Sequence, residues 1–198
     1  MISKKNNILI ASILAVFSFF MIAYSSCKKA GSDNTRCKNV VCRNGGNCNQ
    51  ANNKCSCPVG YEDSVCGTKT VGKYYSNWGV KQTIMYSDSV GYAGTDTFYT
   101  TELKATATPT TFYFTNFNNN PYYSNVLCTL DETNSYHFRI DTISPFQMFY
   151  YSYQLLSGEG NLNKTKDTIT AKFVTRHRNF TSNWQVDSVR MVLARHDY

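Results

Sequence analysis

The amino-acid sequence predicts an all-β protein in which a small disulfide-rich unit precedes a larger antiparallel β-barrel. Six of the eight cysteines fall between Cys37 and Cys66, a segment too short to bury enough apolar surface without cross-links. From Thr70 to Tyr198, aromatic and β-branched residues recur in short alternating runs separated by turn residues. This pattern is typical of strands joined as a meander, and no segment has a convincing helical period.

Alternation with a period of two predicts the strands of the larger unit. It is clearest in four segments, whose core-facing residues are Val126, Cys128 and Leu130; Tyr136, Phe138 and Ile140; Ile169, Ala171 and Phe173; and Val189, Met191 and Leu193. Further strands are expected near residues 71–80, 95–108, 110–117 and 149–156, with turns near Pro109 and Pro121 and over 131–134, 158–163 and 179–183.

About eight short strands are therefore expected, and closing them into a barrel would remove the two exposed edges of an open sheet. Such a barrel is wide enough to be filled by side chains or to hold one small ligand. A β-sandwich is the alternative fold. Cys128 lies on the predicted core face, where a free thiol packs as a small apolar side chain.

The ends of this segment resemble the ends of a lipocalin-like barrel. The resemblance is carried by Gly72-Lys73-Tyr74 with Trp78 at the start and by 189–193 at the close. The chain departs from that pattern at Tyr74, where the family prefers tryptophan.

The cysteine segment resembles an EGF-like domain in the order of its six cysteines, in Asn44-Gly45-Gly46 before the third and in Gly60-Tyr61 before the sixth. The cysteine count alone leaves the pairing open. The resemblance implies the bridges Cys37–Cys48, Cys42–Cys55 and Cys57–Cys66. The family usually has glycine where this chain has Asp63, so we expect the last turn to differ. The acidic pattern of calcium-binding members is missing, and we expect no metal.

The N-terminus has the layout of a secretory signal. A basic start at residues 4–5 precedes an uncharged run over 8–24, and two serines then lead to Cys27. This end resembles a bacterial lipobox, although Tyr24 stands where an aliphatic residue is usual. The resemblance implies cleavage before Cys27 and attachment of lipid to its sulfur, with acyl chains such as palmitate. An uncleaved signal anchor and plain secretion are the alternatives.

These observations divide the chain into a signal peptide (1–26), a tether (27–36), an EGF-like domain (37–66) and a barrel-like domain (70–198). Three disulfides require an oxidising compartment. We therefore expect an exported, lipid-anchored protein of the outer membrane or cell surface, held by membrane lipid through acylated Cys27.

The sequence favours a binding or adhesion module over an enzyme. No phosphate loop, metal-binding motif or nucleophile elbow is present, so we expect no cofactor and no catalytic residue. The formal charge of +7 is scattered, which argues against nucleic-acid binding. The candidate ligand-binding residues are Tyr122, Tyr150, Tyr151 and Tyr153, because adjacent tyrosines on a strand cannot all face the core. Their ligand would be a glycan, a protein or a small apolar molecule.

The alternative function is that of an exported glycan-acting enzyme on a β-sandwich. It requires paired carboxylates that flank a cleft.

An Asp-Ser/Thr-aliphatic tripeptide occurs five times, beginning at Asp63, Asp88, Asp141, Asp167 and Asp187. It resembles an O-glycosylation acceptor of Gram-negative bacteria. It also suits a turn that closes before a β-branched strand.

Overall fold

The computed structural model describes residues 37–148, 150–179 and 181–195. Within them the protein is all-β, with three disulfides near the N-terminus and a closed eight-stranded antiparallel barrel, as the sequence predicts. The predicted signal peptide, Cys27 and the tether lie outside the described residues. Across the described ranges, no helix is both long and apolar enough to cross a membrane.

The disulfide-rich unit consists of two small antiparallel pairs of strands. These are β1 (Asn47–Asn49) with β2 (Lys54–Ser56), and β3 (Tyr61–Glu62) with β4 (Thr68–Lys69). Its bridges are Cys37–Cys48, Cys42–Cys55 and Cys57–Cys66, the pairs that the resemblance implies. The unit has little apolar interior, so these bridges are its principal restraint.

Asp63 makes the last turn of this unit in place of glycine. Its backbone is left-handed, with a φ of 81°, a conformation that Asp tolerates better than most side chains. Its carboxylate accepts hydrogen bonds from the backbone N–H groups of Val65 (2.7 Å) and Gly67 (3.1 Å) and from the Thr68 hydroxyl (2.6 Å). These bonds, led by that of Thr68, lower the pKa of Asp63 to about 2. The side chain thus offsets the backbone strain with three hydrogen bonds.

Nine strands follow, together with three short 3-10 helices at Thr70–Tyr74, Phe117–Asn119 and Pro121–Tyr123. The strands are β5 (Ser76–Ser87), β6 (Asp96–Ala105), β7 (Thr111–Phe114), β8 (Val126–Leu130), β9 (His137–Ile140), β10 (Ile143–Met148), β11 (Tyr151–Leu162), β12 (Thr168–Asn179) and β13 (Gln185–Arg195).

The barrel closes because β11 has two neighbours on one side. Its second half pairs with β9, which completes a ring in the order β11, β12, β13, β5, β6, β7, β8, β9. Its first half pairs with β10, an added strand outside the ring. A bulge between Leu155 and Ser157 lies near this change of partner.

Most of the predicted alternation is confirmed. The described core-facing residues of β8, β12 and β13 are buried, and so are Phe138 and Ile140 of β9. Cys128 is buried and free, as predicted, and burial raises the pKa of its thiol.

Three sequence-based element predictions were wrong. Residues 70–74 form a 3-10 helix rather than the start of a strand, β10 was not predicted, and the turn expected over 158–163 is the end of β11. In that last segment Gly158 and Gly160 lie opposite Ile140 and Phe138, whose side chains cover them. These glycines make room for neighbouring side chains rather than for a turn.

The barrel interior is filled by aromatic rings that enter from both ends. Tyr74, from the first 3-10 helix, stacks on Phe112 with a centroid distance of 4.8 Å. Phe117, from the second, lies 4.6 Å from the ring of Phe173. All four of these side chains are buried. The eight-stranded ring is therefore a packed core rather than a hollow container.

The two ends of the barrel differ in what covers them. One end, here the proximal end, carries the disulfide-rich unit, the first 3-10 helix and the start of β5. The opposite end, the distal end, carries the β5–β6 loop, the 115–125 connection and the β12–β13 loop, because every strand of the ring is antiparallel to its neighbours.

The two ends of the barrel segment meet at the proximal end. The Trp78 indole N–H donates to the Tyr74 carbonyl (3.0 Å), and the Arg195 guanidinium lies 5.2 Å from the Trp78 ring. Arg195 also donates to the Lys73 carbonyl (2.7 Å). The last strand is thereby fastened to the first.

The disulfide-rich unit packs directly on the proximal end. The Thr70 N–H donates to the Gly60 carbonyl (2.9 Å), and a Cβ at Gly60 would come within 2.7 Å of Pro109. Lys73, with a side chain only 3% exposed, pairs with Glu62 (3.1 Å) and donates to the Ser135 hydroxyl (2.7 Å). Lys73 therefore links the disulfide-rich unit to two parts of the barrel segment.

We predict that Gly160→Ala destabilises the barrel by about 1–3 kcal/mol, since its methyl group would overlap the Phe138 ring. Urea unfolding measures this change. The control is Gly72→Ala, whose added Cβ meets nothing within 4 Å. Equal midpoints for the two variants would contradict the close packing of β11 on β9.

We predict that Lys73→Met costs about 1.5–3 kcal/mol of unfolding free energy, because hydrogen bonds to a buried charge are lost. The matched control is Lys81→Met, which removes an exposed pair with Asp96 (2.9 Å) and should cost less than about 1 kcal/mol. Similar losses in both variants would show that Lys73 does not hold the unit to the barrel.

Candidate functional site

A cleft of about 300 Å³ opens at the distal end of the barrel. We call it the tyrosine cleft, and its lining residues are Asn118, Asn120, Tyr123, Tyr151, Tyr153, Thr175, Arg176, His177 and Asp187. They come from the 115–125 connection and from strands β11, β12 and β13. The cleft is thus the distal part of the barrel interior, beyond the packed aromatic core.

Strand alternation places the lining side chains. On β11, Tyr151 and Tyr153 share the face of buried Leu155. On β12, His177 shares the face of buried Thr175, and on β13, Asp187 shares the face of buried Val189. These interior positions become polar as the strands approach the distal end.

Three of the four tyrosines predicted from the sequence come together. The Tyr153 ring lies 5.6 Å from that of Tyr122 and 6.2 Å from that of Tyr151, with interplanar angles of 31° in both pairs. His177 lies on Tyr153 at 6.4 Å. Tyr150 is 71% exposed and is not among the lining residues of the cleft.

Three charged or ionisable side chains of the cleft, those of Arg176, His177 and Asp187, were not identified from the sequence. His177 Nδ1 lies 3.4 Å from Asp187 Oδ2. Asp187 begins one copy of the repeated tripeptide, but that pattern carried no information about which face of β13 it occupies. The β12–β13 register, which pairs His177 with Gln185, brings the two side chains together.

A hydrogen-bonded polar layer adjoins the cleft through Asn118, one of its lining residues. Gln82 Nε2 donates to Asn118 Oδ1 (2.7 Å), and the Tyr99 hydroxyl donates to Gln82 Oε1 (2.9 Å). Burial raises the pKa of Tyr99. Asn118 adopts a left-handed backbone with a φ of 59°, which favours Asn among non-glycine residues. Gln82 is buried, whereas Tyr99 and Asn118 are half-buried.

A second cavity lies where the disulfide-rich unit meets the barrel, and it contains three carboxylates. Glu62 pairs with Lys73, while Asp131 accepts hydrogen bonds from the hydroxyl (2.6 Å) and N–H (2.8 Å) of Thr133. These bonds, led by that of the Thr133 hydroxyl, lower the pKa of Asp131. The third carboxylate belongs to Glu132, which is exposed. Two of the three carboxylates therefore hold local structure.

The described residues contain no group of three or more His, Cys, Asp and Glu side chains arranged to hold a metal ion. His137 lies on the outer face of β9, 3.8 Å from Asp131 and 3.6 Å from Glu159. These distances are long for hydrogen bonds and indicate a loose surface contact.

The repeated tripeptides take part in turns and strand ends. The Thr168 hydroxyl donates to Asp167 (2.8 Å), and Asp88 accepts from the Val186 N–H (2.9 Å). The hydroxyls of Ser64 and Thr142 belong to exposed residues. Their glycosylation stays a prediction.

No protein-family model matches this chain, and a search of curated proteins finds no match.

Proposed function

We propose that the protein is an exported surface lipoprotein that is anchored through Cys27 and presents the distal end of its barrel as a binding or adhesion surface. In this proposal the disulfide-rich unit is an EGF-like spacer between the membrane and the barrel. The three disulfides support export, because such bonds persist in oxidising compartments.

The observation that carries the proposal is the position of the tyrosine cleft. Cys27 precedes the disulfide-rich unit, which packs on the proximal end, whereas the cleft opens at the distal end. Strand β5 has 12 residues and spans about 40 Å at roughly 3.3 Å per residue. A lipid on Cys27 would therefore leave the cleft facing away from the membrane.

The filled interior favours ligand contact at the distal end of the barrel rather than inside the ring of strands. Aromatic rings occupy the centre of the ring of strands, and the polar layer of Gln82, Tyr99 and Asn118 lies above them. A ligand can reach the cleft without displacing that core.

The distal end also carries exposed apolar side chains. Tyr86, Val90 and Tyr92 are exposed on and beside the β5–β6 loop, and Tyr150 and Tyr151 are exposed beside the cleft. Clusters of exposed apolar groups on a protein surface are typical of an interaction site.

A glycan-acting enzyme has less support. The tyrosine cleft contains one carboxylate, that of Asp187, among its described lining residues. Glycoside hydrolysis generally requires two carboxyl groups that flank the scissile bond.

We predict that Cys27→Ala abolishes lipid labelling and releases or mislocalises the protein, since its sulfur is the proposed acylation site. Intact-mass analysis of the wild type should show a chain that begins at Cys27 and carries acyl groups. Cys128→Ala is the control and should remain lipidated, because Cys128 is buried in the core. A mature wild-type chain with an unmodified Cys27 thiol would overturn the anchor.

We predict that the double variant Tyr150→Ser, Tyr151→Ser loses at least tenfold in affinity for a ligand found by screening the purified full chain against glycans, proteins and small molecules. Both rings are exposed, so stability should change little. Phe98→Ser removes an exposed aromatic ring from the barrel wall and serves as the control. Equal loss in both variants, or none in either, would argue against a distal binding surface.

A further inference from the structure

We propose that the tyrosine cleft binds an alkylammonium group, a protonated amine on an apolar stem, with the carboxylate of Asp187 as its counter-ion. This inference rests on the proposed function, because it takes the distal end as the binding surface. It goes further by naming the chemistry of the ligand.

Asp187 lies in a largely buried environment. Its side chain is only 16% exposed. Oδ1 is buried and has no hydrogen-bond donor among the described residues, while Oδ2 lies 3.4 Å from His177. A buried carboxylate oxygen without a donor is costly, so this position favours a ligand that supplies one.

The two nearby arginines are engaged by other groups. The Arg176 guanidinium lies 4.4 Å and that of Arg178 4.6 Å from the Trp184 ring, and Arg176 Nε donates to Gln154 (2.7 Å). Alternation along β12 places both arginines on the face opposite His177. Arg176 nevertheless lines the cleft, where Gln154 and the Trp184 ring engage its guanidinium. Neither arginine forms a salt bridge with Asp187 within the described part of the chain. The carboxylate thus keeps its negative charge available to the cleft.

Aromatic rings form a wall of the cleft. The rings of Tyr151, Tyr153 and Tyr123 line the cleft beside Asp187. Burial raises the pKa of the Tyr123 hydroxyl, and the charge of Asp187 raises it further, so this phenol is neutral near pH 7. Burial also raises the pKa of Tyr153. Neutral phenol rings attract cations through their faces and bury methylene groups along their surfaces.

These features together select among ligand classes. An anion would be repelled by Asp187. A neutral sugar could donate a hydroxyl to Oδ1, but it would gain no Coulomb attraction in a partly desolvated cleft. An alkylammonium pairs with the Asp187 carboxylate and packs its stem on the rings. A cleft of about 300 Å³ is large enough for such a chain and small for an extended ligand.

The test uses the full-length chain and two pairs of probes. Cadaverine is compared with its neutral counterpart 1,5-pentanediol, and Nα-acetyl-lysine methylamide with the same compound acetylated at Nε. N-acetylglucosamine is a neutral sugar probe. Chemical-shift titration by NMR measures affinity and locates the site. The free amine and the lysine derivative distinguish a small-molecule source of the ammonium from a protein side chain.

We expect saturable binding of at least one cationic probe, with shifts concentrated in the cleft, and at least tenfold weaker binding of its neutral counterpart. Asp187→Asn keeps the side-chain shape and should weaken the binding of the cationic probe at least tenfold. Its melting temperature should equal or exceed that of the wild type, because a buried carboxylate oxygen without a donor is removed. Glu132→Gln removes an exposed carboxylate at the proximal end and should leave binding unchanged. Tyr151→Ser provides a second test if Asp187→Asn fails to fold.

Absence of binding by both cationic probes would overturn the inference. Equal binding of charged and neutral probes, or of wild type and Asp187→Asn, would also overturn it. Binding of N-acetylglucosamine in the cleft would then support a distal binding surface whose ligand is neutral rather than cationic. Screening ligands whose binding is unaffected by Tyr150→Ser, Tyr151→Ser would instead reject the distal surface itself.

Discussion

Filling of the barrel interior by aromatic side chains is the constraint on which the rest of this structure depends. An eight-stranded ring leaves a central space, and here residues outside the strands help to occupy it. Tyr74 enters from the proximal end and Phe117 from the distal end, each to pack on rings from the wall. Burying one such ring contributes about 1.5–3 kcal/mol relative to leaving it exposed. Because side chains occupy the centre, the candidate binding site lies at the distal end of the barrel rather than inside it.

The proximal end uses polar contacts to join elements that are distant in the chain. The ammonium of Lys73 pairs with Glu62 in the disulfide-rich unit and reaches Ser135 in the β8–β9 turn. Arg195 joins the last strand to the backbone of Lys73 and to the ring of Trp78. A nearly fully buried lysine is tolerated because its donors have partners. The same contacts hold the disulfide-rich unit on the proximal end of the barrel. The distal end therefore lies on the opposite side of the barrel from that unit.

At the distal end, some polar groups pair with one another, while one oxygen of Asp187 has no donor among the described residues. Gln82, Tyr99 and Asn118 satisfy one another, so that layer serves the fold. Asp187 has one oxygen near His177 and one without a donor. A buried polar group of this kind is a reason to look for a ligand, since its desolvation is compensated only when a donor binds. The hydrogen-bonded layer of Gln82, Tyr99 and Asn118 is therefore structural, whereas Asp187 belongs to the candidate site.

The sequence by itself predicted the disulfide pairing and the faces of the most regular strands. Cysteine order implied the bridges through a family resemblance, and period-two alternation predicted the buried faces of β8, β12 and β13, because burial repeats within each strand. Gly158 and Gly160 were wrongly predicted to form a turn. Glycine is needed there because the side chains of Ile140 and Phe138 on β9, which is distant in sequence, leave no room for a Cβ. The grouping of Tyr122, Tyr151 and Tyr153 with His177 and Asp187 was decided only by the tertiary structure. Ring closure and inter-strand register are collective properties of all the strands, and no single segment's pattern contains them.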